Sequence, residues 1–254
     1  MIRCFIILLL FPSLVSAIEI DVLLTNGTIY DGKSLENRIG DIAINNGKII
    51  DLAKNKTVTA KLVIDCTGKI ICPGFIDLHN HSDNQVVAAA TRANINYLLQ
   101  GCTTIVTGNC GSGPVNVDKY YTEINQAGSG TNVIHLLAQG SLRRQVMGSE
   151  RRKATSAEQA AMLELADKAM SAGAWGMSTG LIYVPSSYAD TAEITAIAAV
   201  VAKYGGIYAS HIRGEGSGLI NSVNEAMKIG RDANLPVHIS HFKSSGRNNW
   251  GLVR

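Results

Sequence analysis

The sequence predicts an α/β fold: an incomplete (β/α)8 barrel of TIM type, about six strand–helix units long, over residues 70–254, preceded by a small, incomplete β domain over residues 18–69. Three observations predict it. From Ile70 onward, short apolar runs alternate with amphipathic stretches at a repeat of about 29 residues, a normal length for a βα unit. Before Ile70 the apolar runs are short and separated by turn residues. The alternative, an open doubly wound sheet, would carry a Gly-rich fingerprint after its first strand, and none is there. A whole barrel takes about 250 residues, so the last two strands are expected beyond Arg254.

Composition sets the class. The chain has 254 residues, 46% hydrophobic and 17% charged, enough to build a packed core. A net charge of +3, with no basic run, argues against a nucleic-acid partner. Residues 1–17 stand apart: Arg3, an apolar run from Phe5 to Val15, then Val15-Ser16-Ala17 at a cleavage position. This reads as an export signal cut after Ala17, and the run is too short to span a bilayer. The expected location is secreted or periplasmic, with no membrane contact after cleavage. Of five cysteines, Cys4 falls in the signal; Cys66, Cys72, Cys102 and Cys110 are too few for a disulfide framework. Most are expected to be buried small hydrophobes.

In the β domain, Val22–Leu24, Thr28–Tyr30, Ile42–Ile44, Lys48–Ile50 and Leu62–Ile64 read as strands. Asn46-Gly47 between two of them predicts a hairpin turn, because both positions need positive φ. Asn26 and Asn55 stand in glycosylation sequons, but turn residues in a hairpin-rich segment are the favoured reading. Barrel strands are expected at 70–78, 103–107, 132–138, 174–178, 207–210 and 237–240. Helices are expected at 85–99, 118–125, 157–170, from Asp190, and at 219–232, with Ser156 to Gln159 resembling a capping box.

The chemistry-bearing residues fall at the strand ends. His79 and His81, at i and i+2 after the first barrel strand, point to one side and can reach one metal. The second strand ends in Gly108-Asn109-Cys110-Gly111, the fifth in His211 and the sixth in His241. A cysteine there offers a soft thiolate; a buried inert cysteine is the alternative. His238 and His135 read as structural. Arg213 and Glu215 read either as outer partners of the site or as a local ion pair.

Pro73-Gly74-Phe75-Ile76-Asp77-Leu78-His79-Asn80-His81 resembles the entry signature of the amidohydrolase superfamily. Gly108 to Gly111, and Gly173-Ala174-Trp175-Gly176-Met177-Ser178-Thr179-Gly180-Leu181-Ile182-Tyr183, are similar to the D-aminoacylase (N-acyl-D-amino-acid deacylase) branch. The resemblance implies a zinc-dependent hydrolase that cleaves the linear amide of N-acyl-D-amino acids, small-molecule substrates. It implies one tightly held zinc ion on Cys110, His211 and His241, with His79 and His81 at a second, weaker site. It also implies Lys243 on the substrate carboxylate, Tyr183 in the pocket and a general-base aspartate downstream of Arg254. Hydantoinase and dihydroorotase relatives carry a metal-bridging lysine on the fourth strand, absent here. Such a cyclic amidohydrolase, or an inactive binding module on the same fold, is the alternative.

Overall fold

The computed structural model describes residues 18–51 and 58–253; the expected export signal and the Asn55 sequon lie outside the described residues. The chain divides into two compact units between Pro73 and Gly74.

The first unit is a sheet of β1 (Ile18–Ile29), β2 (Arg38–Asn45), β3 (Lys48–Ile50), β4 (Val58–Asp65) and β5 (Ile70–Ile71), in the order β3-β2-β1-β4, with β5 also on β1. Asn46 and Gly47 join β2 to β3 with φ of 51° and 70°, the left-handed values that turn requires. The two short strands expected at 22–24 and 28–30 are one strand. Its register shifts between Leu24 and Gly27, with Asn26 at φ 60°, so the Asn26 sequon marks a bulge inside β1 and not a turn.

The second unit alternates strands and helices: β6 (Phe75–Asp77), α1 (Ile95–Leu98), β7 (Cys102–Thr107), α2 (Val117–Ala127), β8 (Asn132–Ala138), α3 (Gln139–Met147), α4 (Ser156–Ser171), β9 (Gly176–Gly180), α5 (Thr191–Ala202), β10 (Ile207–His211), α6 (Leu219–Ala233) and β11 (Val237–Ile239). The six strands are parallel and lie in chain order from β6 to β11. A doubly wound sheet reverses its strand order at a switch point; this one does not, as the barrel reading requires. The sheet is also strongly curled. Five strand spacings would separate β6 from β11 by about 24 Å if flat, yet the rings of His79 after β6 and His241 after β11 have centroids 4.9 Å apart.

Helices close the outer face. On α6 the buried Leu219, Ser222, Ala226, Ile229 and Ala233 recur every three or four residues, one stripe of a helix. Leu219, Ala226, Ile229 and Ala233 join Ile194, Ile197, Ala198 and Val201 of α5, and Met177 and Tyr208 of the sheet, in the main core. α4 starts one residue earlier than expected: Thr155 is the cap, its Oγ1 accepting from Glu158 N (3.2 Å) while Glu158 Oε2 accepts from Thr155 N (2.8 Å).

Four further expectations differ from the structure. The first barrel strand, expected over 70–78, is split: Ile70–Ile71 pair with β1 in the first unit, and only Phe75–Asp77 join the parallel sheet. The helix predicted over 85–99 is largely a series of turns, with only Ile95–Leu98 helical. Thr91 Oγ1 takes the Gln85 carbonyl (2.9 Å), and Asn94 sits at φ 48° with its amide on Thr131 Oγ1 (2.8 Å). Side chains that satisfy local backbone groups compete with a continuous helix. The fourth barrel strand runs 176–180 and not 174–178, because Gly173 is at φ 99° and Ala174 N still bonds Ala169 O at the end of α4. Cys72 is exposed, not buried; Cys66 and Cys110 are buried and Cys102 intermediate.

Candidate metal centre

The strand ends place the candidate side chains by short, polar, glycine-rich turns. After β6, Asp77 Oδ1 accepts from His79 N (3.1 Å), Asp77 Oδ2 from Asn80 Nδ2 (3.1 Å), and Asn80 Oδ1 from Ser82 N (2.7 Å). That ladder sets the backbone carrying His79 and His81. After β7, Gly108, Cys110 and Gly111 all have positive φ, of 76°, 53° and 70°. A non-glycine residue rarely adopts such a value, so this turn is held in place. Asn109 Nδ2 donates to Val106 O (2.8 Å) and Leu78 O (3.3 Å), tying the ends of β6 and β7 together. Gly108 N donates to Asp83 Oδ1 (2.7 Å) and Gly111 N to Ser178 Oγ (2.9 Å).

The result is a convergence of side chains from four strand ends. Cys110 Sγ lies 3.5 Å from His79 Nε2, 3.6 Å from His211 Nδ1 and 3.9 Å from His241 Nε2. The potential donor atoms form two overlapping groups, His79–His81–Cys110 and Cys110–His211–His241, each within 4.8 Å. Cys110 belongs to both. His81 packs on His79 with ring centroids 5.1 Å apart.

These spacings fit a metal ion. Bonds of about 2.3 Å to sulfur and 2.0–2.1 Å to nitrogen at a tetrahedral angle put S and N about 3.6 Å apart, close to the Cys110 distances. The chemistry of the donors agrees. Burial, then neighbouring His241 and His81, push the His79 imidazole down to about 4. His211 is lowered by burial and His241. Neutral imidazoles keep a lone pair for a metal. Burial pushes the Cys110 thiol up to about 11, so its thiolate needs a cation beside it. His79 Nε2 and His211 Nδ1, the ring nitrogens nearest Cys110, are the ones such an ion would take; the opposite nitrogens, His79 Nδ1 and His211 Nε2, are buried without hydrogen-bond partners.

Glu215 sits behind two of the rings. Its Oε1 lies 3.1 Å from His241 Nδ1 and 3.8 Å from His211 Nε2, the nitrogens facing away from Cys110, and accepts from Lys243 Nζ at 2.6 Å. A carboxylate behind a ligating histidine fixes ring orientation and tautomer. Of the two options open in the sequence, Glu215 is therefore an outer partner of the cluster. Arg213 is a structural ion pair with Glu225 (2.9 Å), also donating to Ser187 O and Ala189 O. Lys243 Nζ is additionally 3.1 Å from His241 Nδ1 and its side chain is half exposed. Tyr183 stacks obliquely near His211, centroids 5.1 Å apart. With His81, Cys110 and Arg144 it lines a cavity of about 360 Å³. His135 is fully buried, held by Thr107 Oγ1 (2.9 Å) and Pro114 O (2.9 Å), away from the Cys110 cluster.

Sequence reasoning did not find the hub role of Glu215 or the Asn109 clamp. Residues 211–215 are a strand end and loop, so no helical spacing announced the first; the second depends on a contact 31 residues away.

The fourth strand is shaped to leave room for the Cys110 turn. A Cβ on Gly180 would lie 2.1 Å from Cys110 O, a backbone atom that cannot rotate away. Gly180→Ala is expected to destabilise the fold by roughly 1–3 kcal/mol or more and to loosen metal binding. Gly251→Ala, with nothing within 4 Å, serves as the neutral comparison. Urea unfolding of the two variants checks this; equal midpoints would show that the close approach carries no energy.

The amidohydrolase family model matches residues 62–246 of the chain. The chain is 34% identical to the D-aminoacylase of Alcaligenes xylosoxydans xylosoxydans, across 92% of the chain and 53% of that protein. It is 35% identical to the N-acyl-D-aspartate deacylase of the same organism, across 93% and 52%. The structure of an N-acyl-D-glutamate deacylase from Bordetella bronchiseptica, complexed with zinc and a phosphonate inhibitor, superposes with a TM-score of 0.87 at 32% identity, across 93% of the chain and 54% of that protein. The chain spans about half the length of these relatives.

Proposed function

The chain belongs to the amidohydrolase family, and from that premise we propose that it carries the zinc site of an enzyme hydrolysing the linear amide bond of N-acyl-D-amino acids to a D-amino acid and a carboxylic acid. The observation that carries the reading is the convergence of Cys110 with His79, His211 and His241. Fully buried β9, by contrast, reads Gly176-Met177-Ser178-Thr179-Gly180 and offers no lysine to bridge metals, so the anionic ligand is the thiolate. That favours the linear-amide branch over a cyclic amidohydrolase. The D-aminoacylase and deacylases that the chain resembles support the same substrate class.

Cys110, His211 and His241 would hold the tighter zinc ion, and His79 and His81, sharing Cys110, a weaker one. A bound zinc ion supplies Lewis-acid polarisation of the amide carbonyl and activation of water near neutral pH. The side chains around it do the rest. Glu215 locks the His241 ring and anchors Lys243. An ammonium group has three donors, and Glu215 uses one, so the half-exposed Lys243 keeps others for the substrate α-carboxylate. Tyr183 forms the wall next to His211. The apolar run from Phe5 to Val15 and the small residues up to Ala17, read as an export signal, support a reaction outside the cytoplasm.

The test offers the whole zinc-loaded enzyme an N-acetyl-D-amino acid, its L enantiomer and a hydantoin, reading amine release for the first two and loss of the ring's ultraviolet absorbance for the hydantoin. Hydrolysis of the D compound alone is expected; ring opening of the hydantoin, or preference for the L compound, overturns the assignment. Within that activity, Lys243→Ala is expected to raise KM for N-acyl-D-amino acids roughly 10–100-fold, the worth of one charged hydrogen bond. The corresponding amides, lacking the charge, should suffer far less. Equal losses on acids and amides would place Lys243 in support of His241 instead.

A further inference from the structure

α3 carries two adjacent arginines that the helix sends in different directions. Arg143 turns inward to Glu193. Arg144 is exposed, and among the described residues no carboxylate pairs with it. Its guanidinium is nonetheless pinned: Nη2 donates to Val184 O (2.9 Å) and Nη1 to Ser149 Oγ (3.3 Å). Those bonds hold it beside Tyr183 and Val184, on the wall of the 360 Å³ cavity that also includes His81 and Cys110. A guanidinium has five N–H donors, so this one presents unused donors to a cavity bordered by the metal cluster.

An arginine fixed by neutral acceptors, with no carboxylate beside it, is pre-organised for a planar anion, which it binds through two parallel N–H bonds. Lys243, assigned above to the α-carboxylate, is not among the residues lining this cavity. The cavity therefore has a cation of its own. We propose that Arg144 forms an anion subsite next to the metal centre, and that the preferred substrate carries a second carboxylate besides its α-carboxylate. The inference rests on the deacylase reading and narrows its substrate class. The second carboxylate belongs either to the acyl group or to the amino-acid side chain; both present the same chemistry to Arg144.

The whole zinc-loaded enzyme decides it in three forms: the wild type, Arg144→Ala, and Arg144→Gln, which keeps an N–H donor for Val184 O but loses the charge. Each is assayed on N-acetyl-D-leucine, N-acetyl-D-glutamate and N-succinyl-D-leucine, with calorimetric binding of the same three compounds. The readout is the ratio of kcat/KM for each diacid to that for N-acetyl-D-leucine, which does not depend on the folded fraction of a variant. One diacid should be favoured by the wild type, and its ratio should fall about 10-fold or more in both variants, mainly through KM. Preference for N-acetyl-D-glutamate places the anion on the side chain; preference for N-succinyl-D-leucine places it on the acyl group. A wild type without diacid preference, or a ratio unchanged in the variants, overturns the subsite. Absence of hydrolysis of all three compounds would sink the deacylase reading instead. The subsite is then judged by binding: diacid binding that does not weaken in Arg144→Ala and Arg144→Gln overturns it.

Discussion

Cys110→Ala is expected to abolish tight zinc binding and, with it, amide hydrolysis. Cys110 is the member common to both groups of potential ligands, and its Sγ faces three imidazole nitrogens at 3.5–3.9 Å. It is also the only donor among them that can bring a negative charge. Without it the cluster offers neutral imidazoles to a dication. Losing an outer hydrogen-bond partner typically lowers metal affinity roughly 10–100-fold; loss of the anionic ligand should exceed that. Chelator competition measures the affinity, and urea unfolding of the metal-free variant shows that the fold survives. Unchanged zinc affinity in Cys110→Ala would remove Cys110 from the centre.

The second large effect concerns stability. Arg143 is fully buried and its Nε lies 3.0 Å from Glu193 Oε1, with further bonds to Glu150 O (3.3 Å) and Arg152 O (2.6 Å). Removing one partner of such a pair strands the other's charge, at a cost of about 3–5 kcal/mol. Arg143→Met is therefore expected to be among the most destabilising single changes in the second unit. The deficit has a pH signature. Burial already raises the Glu193 carboxyl, against the lowering influence of Arg143; without Arg143 it rises further. A carboxyl whose pKa is higher folded than unfolded binds protons preferentially in the folded state. Its contribution is thus full below the unfolded value, about 4.3, and is lost as pH rises through the folded value. The variant should lose most stability near pH 7 and regain part of it toward pH 4–5. Arg143→Met with Glu193→Leu should cost less than Arg143→Met alone, retaining the penalty of the two freed carbonyls and of the Gln139 amide that donates to Glu193 Oε1 (3.3 Å). Urea midpoints across pH check both; a pH-independent deficit would mean that the lost packing, not the stranded charge, dominates.

The fold was legible where sequence pattern and local chemistry agree. The six parallel strands announce themselves as short apolar runs closed by glycine or a polar residue, and the Asn46-Gly47 turn by its demand for positive φ. The helix expected over 85–99 failed because Thr91 and Asn94 spend their side chains on other partners, which a hydrophobic pattern does not register. α3 was missed because it begins directly where β8 ends, at Gln139 after Ala138, with no turn residue to mark it. Around the cluster, the histidines and Cys110 stood out because each closes a strand. Arg144 did not: its position is set by Val184 O, 40 residues away, and a surface arginine on a helix otherwise reads as solvated. Glu215 and Arg213 looked alike in sequence; only the placement of Glu225 on α6 beside Arg213 separates their roles.

X-ray absorption at the zinc edge of the metal-loaded protein tests most directly whether Cys110 and the surrounding histidines hold zinc. One sulfur neighbour at about 2.3 Å together with nitrogen or oxygen neighbours near 2.0–2.1 Å is expected, the sulfur disappearing in Cys110→Ala. A zinc shell made only of nitrogen and oxygen in the wild-type protein would contradict it.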